Sequence, residues 1–273
     1  MSDIRNPAAA GYFYPSDPAK LKDEIETLLA ISKPEQKFKE VAGLIAPHAG
    51  YIYSGRTAAY AFNAIKGKSI KTVVIISPSH REYFAGSSIY KGDAYSTPLG
   101  IIPLNKRMIT KMLTSSKTIF SGNQGHKEEH GIEVQIPFLQ SVLGDFEIVP
   151  IVMGDQGYQY IEELAIRLAE AVDASTLIIA SSDLSHFHTK HEAHLLDSVV
   201  EDRISKFDYS NLISDLEEQR CEACGGGPII VMMKTSDLLN KKQSLVLNRS
   251  DSSDASGDTS EVVGYLSAAV YSE

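Results

Sequence analysis

The sequence predicts an α/β protein, a single domain in which a largely parallel central sheet is flanked by helices. Three observations predict it. Apolar runs recur at 41–46, 72–77, 146–153 and 176–181, and runs of that length suit strands buried on both faces. Between them lie segments with apolar residues at helical spacing, so strand and helix alternate. Three of the runs empty into loops that carry histidine: Pro47-His48, Pro78-Ser79-His80 and Asp183-Leu184-Ser185-His186. Ligands of open α/β sheets bind beyond the carboxyl ends of the strands, so three such junctions point to one shared site. With 273 residues and no break in composition, one domain over 1–273 accommodates the chain.

Residues 5–15 read as an extended, turn-rich segment, with Tyr12, Phe13 and Tyr14 gathered between Pro7 and Pro15. Asp17 can cap a helix whose first position suits Pro18, and Leu21, Ile25, Leu28 and Leu29 share one of its faces. After the strand over 41–46, Ser54 offers a cap to a helix that reaches about Ile65 and closes at Gly67. The strand over 72–77 ends at His80, and in 86–104 Gly92, Pro98, Gly100 and Pro103 favour a hairpin or irregular strands. Asn105 can cap a helix carrying Met108, Ile109, Met112 and Leu113. A polar loop over 121–131 holds His126 and His130, and Ile132, Ile136 and Leu139 mark a helical face that Pro137 is expected to kink.

Pro150 should make the strand over 146–153 irregular or place it at an edge. Ile161, Leu164, Ala165 and Leu168 sit at helical spacing before the strand over 176–181. Helices are expected from near Lys190 to Ile204, from Tyr209 to Glu218, and again after Pro228. Strands at 244–248 and 262–270 complete the series, and the Ser- and Asp-rich stretch 250–260 reads as a mobile loop.

Composition excludes several classes. A net charge of −9 with no basic block argues against nucleic acid or an acidic membrane as partner. No apolar run approaches the roughly 20 residues of a membrane helix. The opening residues lack the apolar core of a signal peptide. Both cysteines, Cys221 and Cys224, lie in one Cys-x-x-Cys, so no disulfide framework is expected and a reducing cytoplasm is the natural compartment.

His48 and His80 follow buried strands that are expected to neighbour each other across a helical crossover, and imidazoles so placed can converge on a metal. The plainer reading is two locally bonded loop histidines. Cys224 precedes a helix, where the dipole and free N–H groups should lower its pKa and make it a third, anionic ligand. It can equally be half of an inert Cys-x-x-Cys, and Gly225, Gly226 and Gly227 can form a backbone nest for a phosphate or carboxylate. Asp183, three positions before His186, can orient it as an acid or base or complete a metal shell. His188, His191 and His194 read as a solvated helix start, since no His-Glu-x-x-His is present. His130 and Glu133 open a helix, and spacing alone leaves them unassigned.

Ala46-Pro47-His48-Ala49-Gly50-Tyr51, Ser77-Pro78-Ser79-His80, Glu129-His130-Gly131-Ile132-Glu133-Val134-Gln135, Ser181-Ser182-Asp183-Leu184-Ser185-His186 and Cys224-Gly225-Gly226-Gly227-Pro228 resemble the Memo family, whose microbial members are called AmmeMemoRadiSam system protein B. The opening stretch from Arg5 to Pro15 matches as well. The resemblance implies a fold like that of class III (LigB-type) extradiol dioxygenases, which bind non-haem iron with two histidines and a glutamate. It implies His48 and His80 as metal ligands, with Cys224 where the glutamate would stand. It makes His186 the acid/base, with Asp183 beside it and His130 in the pocket. Iron or copper is the implied cofactor, and the exchange of carboxylate for thiolate brings zinc within range. AMMECR-type and radical SAM proteins are the implied partners. The leading expectation is a metal-dependent oxidoreductase of unknown substrate. The alternative is a non-catalytic module that binds an anionic peptide or small molecule in the same pocket.

Overall fold

The structure, a computed structural model, describes residues 3–272. It begins with a short strand, β1 (Ile4–Arg5), and a helix, α1 (Pro18–Ile31). Asp17 caps α1 by accepting the Lys20 backbone N–H, and Leu21, Ile25 and Leu29 form its buried face. β2 (Glu40–Ala46), α2 (Tyr51–Ala64) and β3 (Thr72–Pro78) follow. α2 starts earlier than expected: Gly50 precedes it, and Ser54, within its first turns, donates its hydroxyl to Ala49 O at 2.9 Å. Next come β4 (Ser87–Tyr90) and a hairpin of β5 (Ala94–Thr97) and β6 (Gly100–Pro103). Asn105 caps α3 (Lys106–Leu113), which leads to β7 (Ile119–Gly122). A 3-10 turn at Glu133–Gln135 runs into α4 (Ile136–Val142), with Pro137 in its first turn. Pro137 therefore starts a helix and does not kink one, because a first-turn N–H has no intrahelical partner to lose.

The second half contains β8 (Glu147–Met153), α5 (Tyr158–Ala171), β9 (Thr176–Ser181), β10 (His186–His188), α6 (Lys190–Ser205), α7 (Tyr209–Glu217), α8 (Gly226–Leu238), β11 (Gln243–Asp251), α9 (Ser253–Ser256) and β12 (Val262–Ser272). The four apolar residues expected along α5 are its four buried ones. The stretch 250–260 is more structured than its composition suggested, since it holds the end of β11 and all of α9.

Four parallel strands in the order β2-β9-β3-β8 form the centre of the main sheet. Antiparallel pairings flank them: β4 joins β8 on one side, and β12 joins β2 on the other. β7 then lies parallel to β4, β11 antiparallel to β12, and β10 pairs with the start of β12. The parallel expectation thus holds for the buried centre, and the flanks make the sheet mixed. A small sheet of β1, β5 and β6 stands apart. β8 is regular despite Pro150. On its outer side Leu104 bridges to Ile148 and β4 begins at Ile151, so the proline falls in a gap between partners. Helices α1, α2 and α4 pack together as one layer, and α5, α7 and α8 as another. The core is one continuous apolar cluster from Ala9 to Val270.

One expectation is corrected with consequences for the site. β2 and β3 are not neighbours, because β9 lies between them. The chain skips a position on its first crossover and fills it later.

Candidate metal centre

β2, β9 and β3 run parallel and side by side, so their carboxyl ends open on the same edge of the sheet. His48 stands two residues beyond β2, His80 two beyond β3 and Asp183 two beyond β9. The ring centroids of His48 and His80 are 4.9 Å apart, and His130 lies 5.3 and 4.7 Å from them, so three imidazoles form a triangle. Cys224, on the loop before α8, places its Sγ 3.2 Å from His48 Nε2. Candidate ligand atoms of His48, His80 and Cys224 all lie within 4.8 Å of one another, and so do those of His80, Glu129 and His130.

The protons on these rings can be assigned from their partners. Ser181 has one hydroxyl proton and gives it to Gly131 O at 2.6 Å. It must therefore accept from the other two groups that touch it, Gln135 Nε2 at 2.8 Å and His48 Nδ1 at 2.9 Å. His48 carries its proton on Nδ1 and turns a bare Nε2 toward the Cys224 sulfur. His80 is fixed in the same sense. Its Nδ1 donates to Glu129 Oε1 at 2.8 Å, which leaves Nε2 free. An imidazole with one nitrogen anchored turns the other toward a cation site.

Electrostatics agree with the assignment. Burial pushes His48 down to about 3 and His130 down to about 4, with neighbouring imidazoles adding to the effect. Burial opposes ionisation of Glu129, but the hydrogen bond from His80, the charges of His80 and His130 and the Gly131 N–H outweigh it and hold the carboxyl at about 2. Cys224 corrects an expectation. Its place before α8 predicted a lowered pKa, whereas burial, reinforced by Asp183, pushes the thiol up to about 12. The Asp183 carboxyl is also raised, by burial. With Nε2 of His48 bare, the Cys224 S–H donates to it, and loss of that proton leaves sulfur and nitrogen as adjoining donors. Two imidazole nitrogens and a sulfur held by hydrogen-bonded loops fit iron, copper or zinc.

Asp183 acts on the loop backbone: its Oδ1 accepts the His48 N–H at 2.8 Å, and its own N–H donates to Cys224 Sγ at 3.2 Å. His186 lies on β10, half-buried, and shares with Cys224 the lining of a groove of about 860 Å³. His130 stacks on Phe13 with 4.4 Å between ring centroids. The structure thus brings His48, His80, Cys224, Asp183 and His130 together and sets His186 beside the groove. His188 pairs with Glu222, and His194 accepts from Arg249 at the start of α6. His126 is buried between Tyr95 and Ser88, where it bonds locally. Cys221 is buried, and both cysteines are free thiols. The glycine run is not an open nest. Gly225 N–H donates to Ser182 Oγ, Gly226 N–H to Ala223 O and Gly227 N–H to Gln156 Oε1.

Reasoning from sequence alone missed Glu129 and Ser181, which hydrogen-bond His80 and His48, Gln135, which donates to Ser181 Oγ, and Arg5, which secures the loop that carries Glu129. The Arg5 guanidinium donates to His126 O at 2.8 Å and Glu129 O at 2.6 Å. It also forms a buried ion pair with Glu133. Glu133, which spacing left unassigned, accepts the backbone N–H groups of Ala8 and Ala9 and the Tyr14 hydroxyl. The available signal was position, since Glu129 precedes His130 directly and Ser181 closes β9.

A family profile for Memo-like proteins matches residues 5–269. The chain belongs to the Memo-like family. The MEMO1 family protein of Thermoplasma volcanium is 37% identical over 269 residues, covering 97% of each chain. That of Thermotoga maritima is 38% identical over 279 residues, covering 98% of this chain and 99% of its own. Among solved structures, an uncharacterized protein from Escherichia coli K12 shares the fold of this Memo-like protein. The TM-score is 0.53 at 11% identity, over 85% of this chain and all of the other. No helix among the described residues is long and apolar enough to cross a membrane.

Proposed function

We propose that this Memo-like protein is a metal-dependent oxidoreductase whose centre is held by His48, His80 and Cys224. One observation carries the reading: donors from three separate loops adjoin within 4.8 Å, and His48 presents a bare Nε2 to the Cys224 sulfur. Non-haem iron or copper suits this imidazole and thiolate set, and zinc fits it too. Iron or copper would supply Lewis acidity and electron transfer. His186 takes or returns a substrate proton at its imidazole. Asp183 holds the His48 loop in place, and His130 orients substrate from the Phe13 side. A thiolate in place of the glutamate of extradiol dioxygenases separates the question of ring cleavage from that of fold. AMMECR-type and radical SAM proteins are the proposed partners and the cytoplasm the proposed compartment.

The alternative, a pocket that binds an anionic peptide or small molecule without turnover, loses its main donors, because the amides at 225–227 already bond within the chain. The test is the metal content of anaerobically purified protein, wild type beside His48→Ala and Cys224→Ser. Near-stoichiometric iron or copper is expected in the wild type, with affinity at least ~10-fold weaker in each variant. A wild type that stays empty when offered Fe(II), Cu(I) and Zn(II) under reducing conditions overturns the assignment.

A further inference from the structure

The groove beside Cys224 and His186 has a lining that sorts ligands by charge. Its walls are apolar: Ile161 of α5, Leu196 of α6, Ile213 and Leu216 of α7, Ile230 of α8, and Leu184 after β9. At about 860 Å³ it lies within the range of small-molecule sites. The charged side chains among its described lining residues are Glu217 and Glu222, with no lysine or arginine. Apart from the His186 imidazole and the exposed Gln219 amide, the neutral polar groups of the lining that could receive an anion are engaged within the chain. His188 Nε2 donates to Glu222 at 3.0 Å, and the Gln156 amide donates to Cys224 O at 2.8 Å while accepting the Gly227 N–H at 2.7 Å. An anionic ligand would meet two carboxylates and no free cation, and like charges at close range oppose binding.

We propose that this groove binds the substrate, and that the substrate is a neutral or cationic small molecule with an apolar body of aromatic size. Its body lies against Ile213, Leu216 and Ile230, and its polar end faces His186 and Cys224. Glu217 and Glu222 set the preference for a positive charge over a negative one. This rests on the metal-centre reading above for its chemistry, though not for its binding.

The test uses three probes with one phenol body and different charge: tyramine, 4-ethylphenol and 3-(4-hydroxyphenyl)propionate. Each is titrated into the full-length protein by calorimetry, with metal content and thermal unfolding measured on the same samples. Tyramine and 4-ethylphenol are expected to bind saturably, and the propionate at least ~10-fold more weakly. Ile213→Trp, which fills the groove, should weaken the two binders by about tenfold or more and leave metal content and unfolding unchanged. Glu222→Lys, which sets one ammonium against the remaining Glu217 carboxylate, should erase the gap between tyramine and the propionate while 4-ethylphenol binds as before, a result that a general loss of fold cannot produce. Equal binding of all three probes overturns the proposal. So does the absence of saturable binding by any of them, or wild-type affinity in a folded Ile213→Trp. Probe binding by a protein that takes up no metal would sink the oxidoreductase reading and leave this one standing.

Discussion

The serine hydroxyl at the end of β9 decides which nitrogen of His48 faces the centre, because its only proton is committed to Gly131 O. Ser181→Ala removes that acceptor and strands the His48 Nδ1–H and the Gly131 carbonyl in a buried place, while the Gln135 amide keeps Pro47 O. We expect it to destabilise the protein by about 1–3 kcal/mol and to weaken metal binding by roughly 10–100-fold. Urea unfolding and metal titration measure the two effects, and unchanged metal affinity would refute the orienting role. Glu129→Gln keeps an acceptor for His80 Nδ1 but removes the charge, so its loss of metal affinity should be smaller than that of Glu129→Ala. The convergence of His48 and His80 was legible in the sequence because a buried strand that stops at a proline and then shows histidine is an unusual pattern. Ser181 and Glu129 were not, because a serine after an apolar run and a glutamate in a polar loop are ordinary until their partners, 50 and 49 residues away, are known. The Cys224 thiol was misjudged for a related reason: local position suggested a helix dipole, while burial beside Asp183 comes from the rest of the fold.

Elements at the rim of the second helical layer are joined through one carboxylate. Asp215, buried on α7, accepts from Arg203 Nε on α6 at 2.6 Å and from Arg220 Nε, before α8, at 2.7 Å. The hydrogen bond from Arg203 is the largest influence and, with that from Arg220, holds the Asp215 carboxyl below its usual range against the opposing effect of burial. A depressed folded pKa gives stability that is present above the unfolded value of about 3.9 and lost as pH falls through the folded one. Asp215→Asn should cost about 1–3 kcal/mol near neutral pH, with the half-exposed Arg220 contributing the lesser part. The cost should shrink as pH falls below about 4, where the unfolded wild type takes up a proton at Asp215 while the folded protein still holds the charge. Parallel stability curves for the two proteins down to pH 3 would refute this. Most helices and strands were legible because their apolar spacing is strong. Neighbour relations were not, since nothing local in 72–78 or 176–181 says that the later strand takes the place beside β2.

Across the whole molecule, the N-terminal segment is tied to a loop more than 120 residues away by Arg5 and Glu133. Arg5→Met leaves Glu133 buried without its cation and releases the carbonyls that hold the Glu129 loop, so a loss of about 3–5 kcal/mol is expected. Denaturant unfolding checks the loss, and a change under ~1 kcal/mol would mean that the pair is dispensable. The sheet has a comparable dependence at its other end. β12 spans 11 residues and lies between β2 and β11, yet it is synthesised after both. Until that stretch is made, nothing in the chain can cover the outer margin of β2, which β12 occupies in the folded sheet. Such margins recruit foreign strands. A premature stop within β12 should therefore yield an aggregating polypeptide, not a slightly weakened protein.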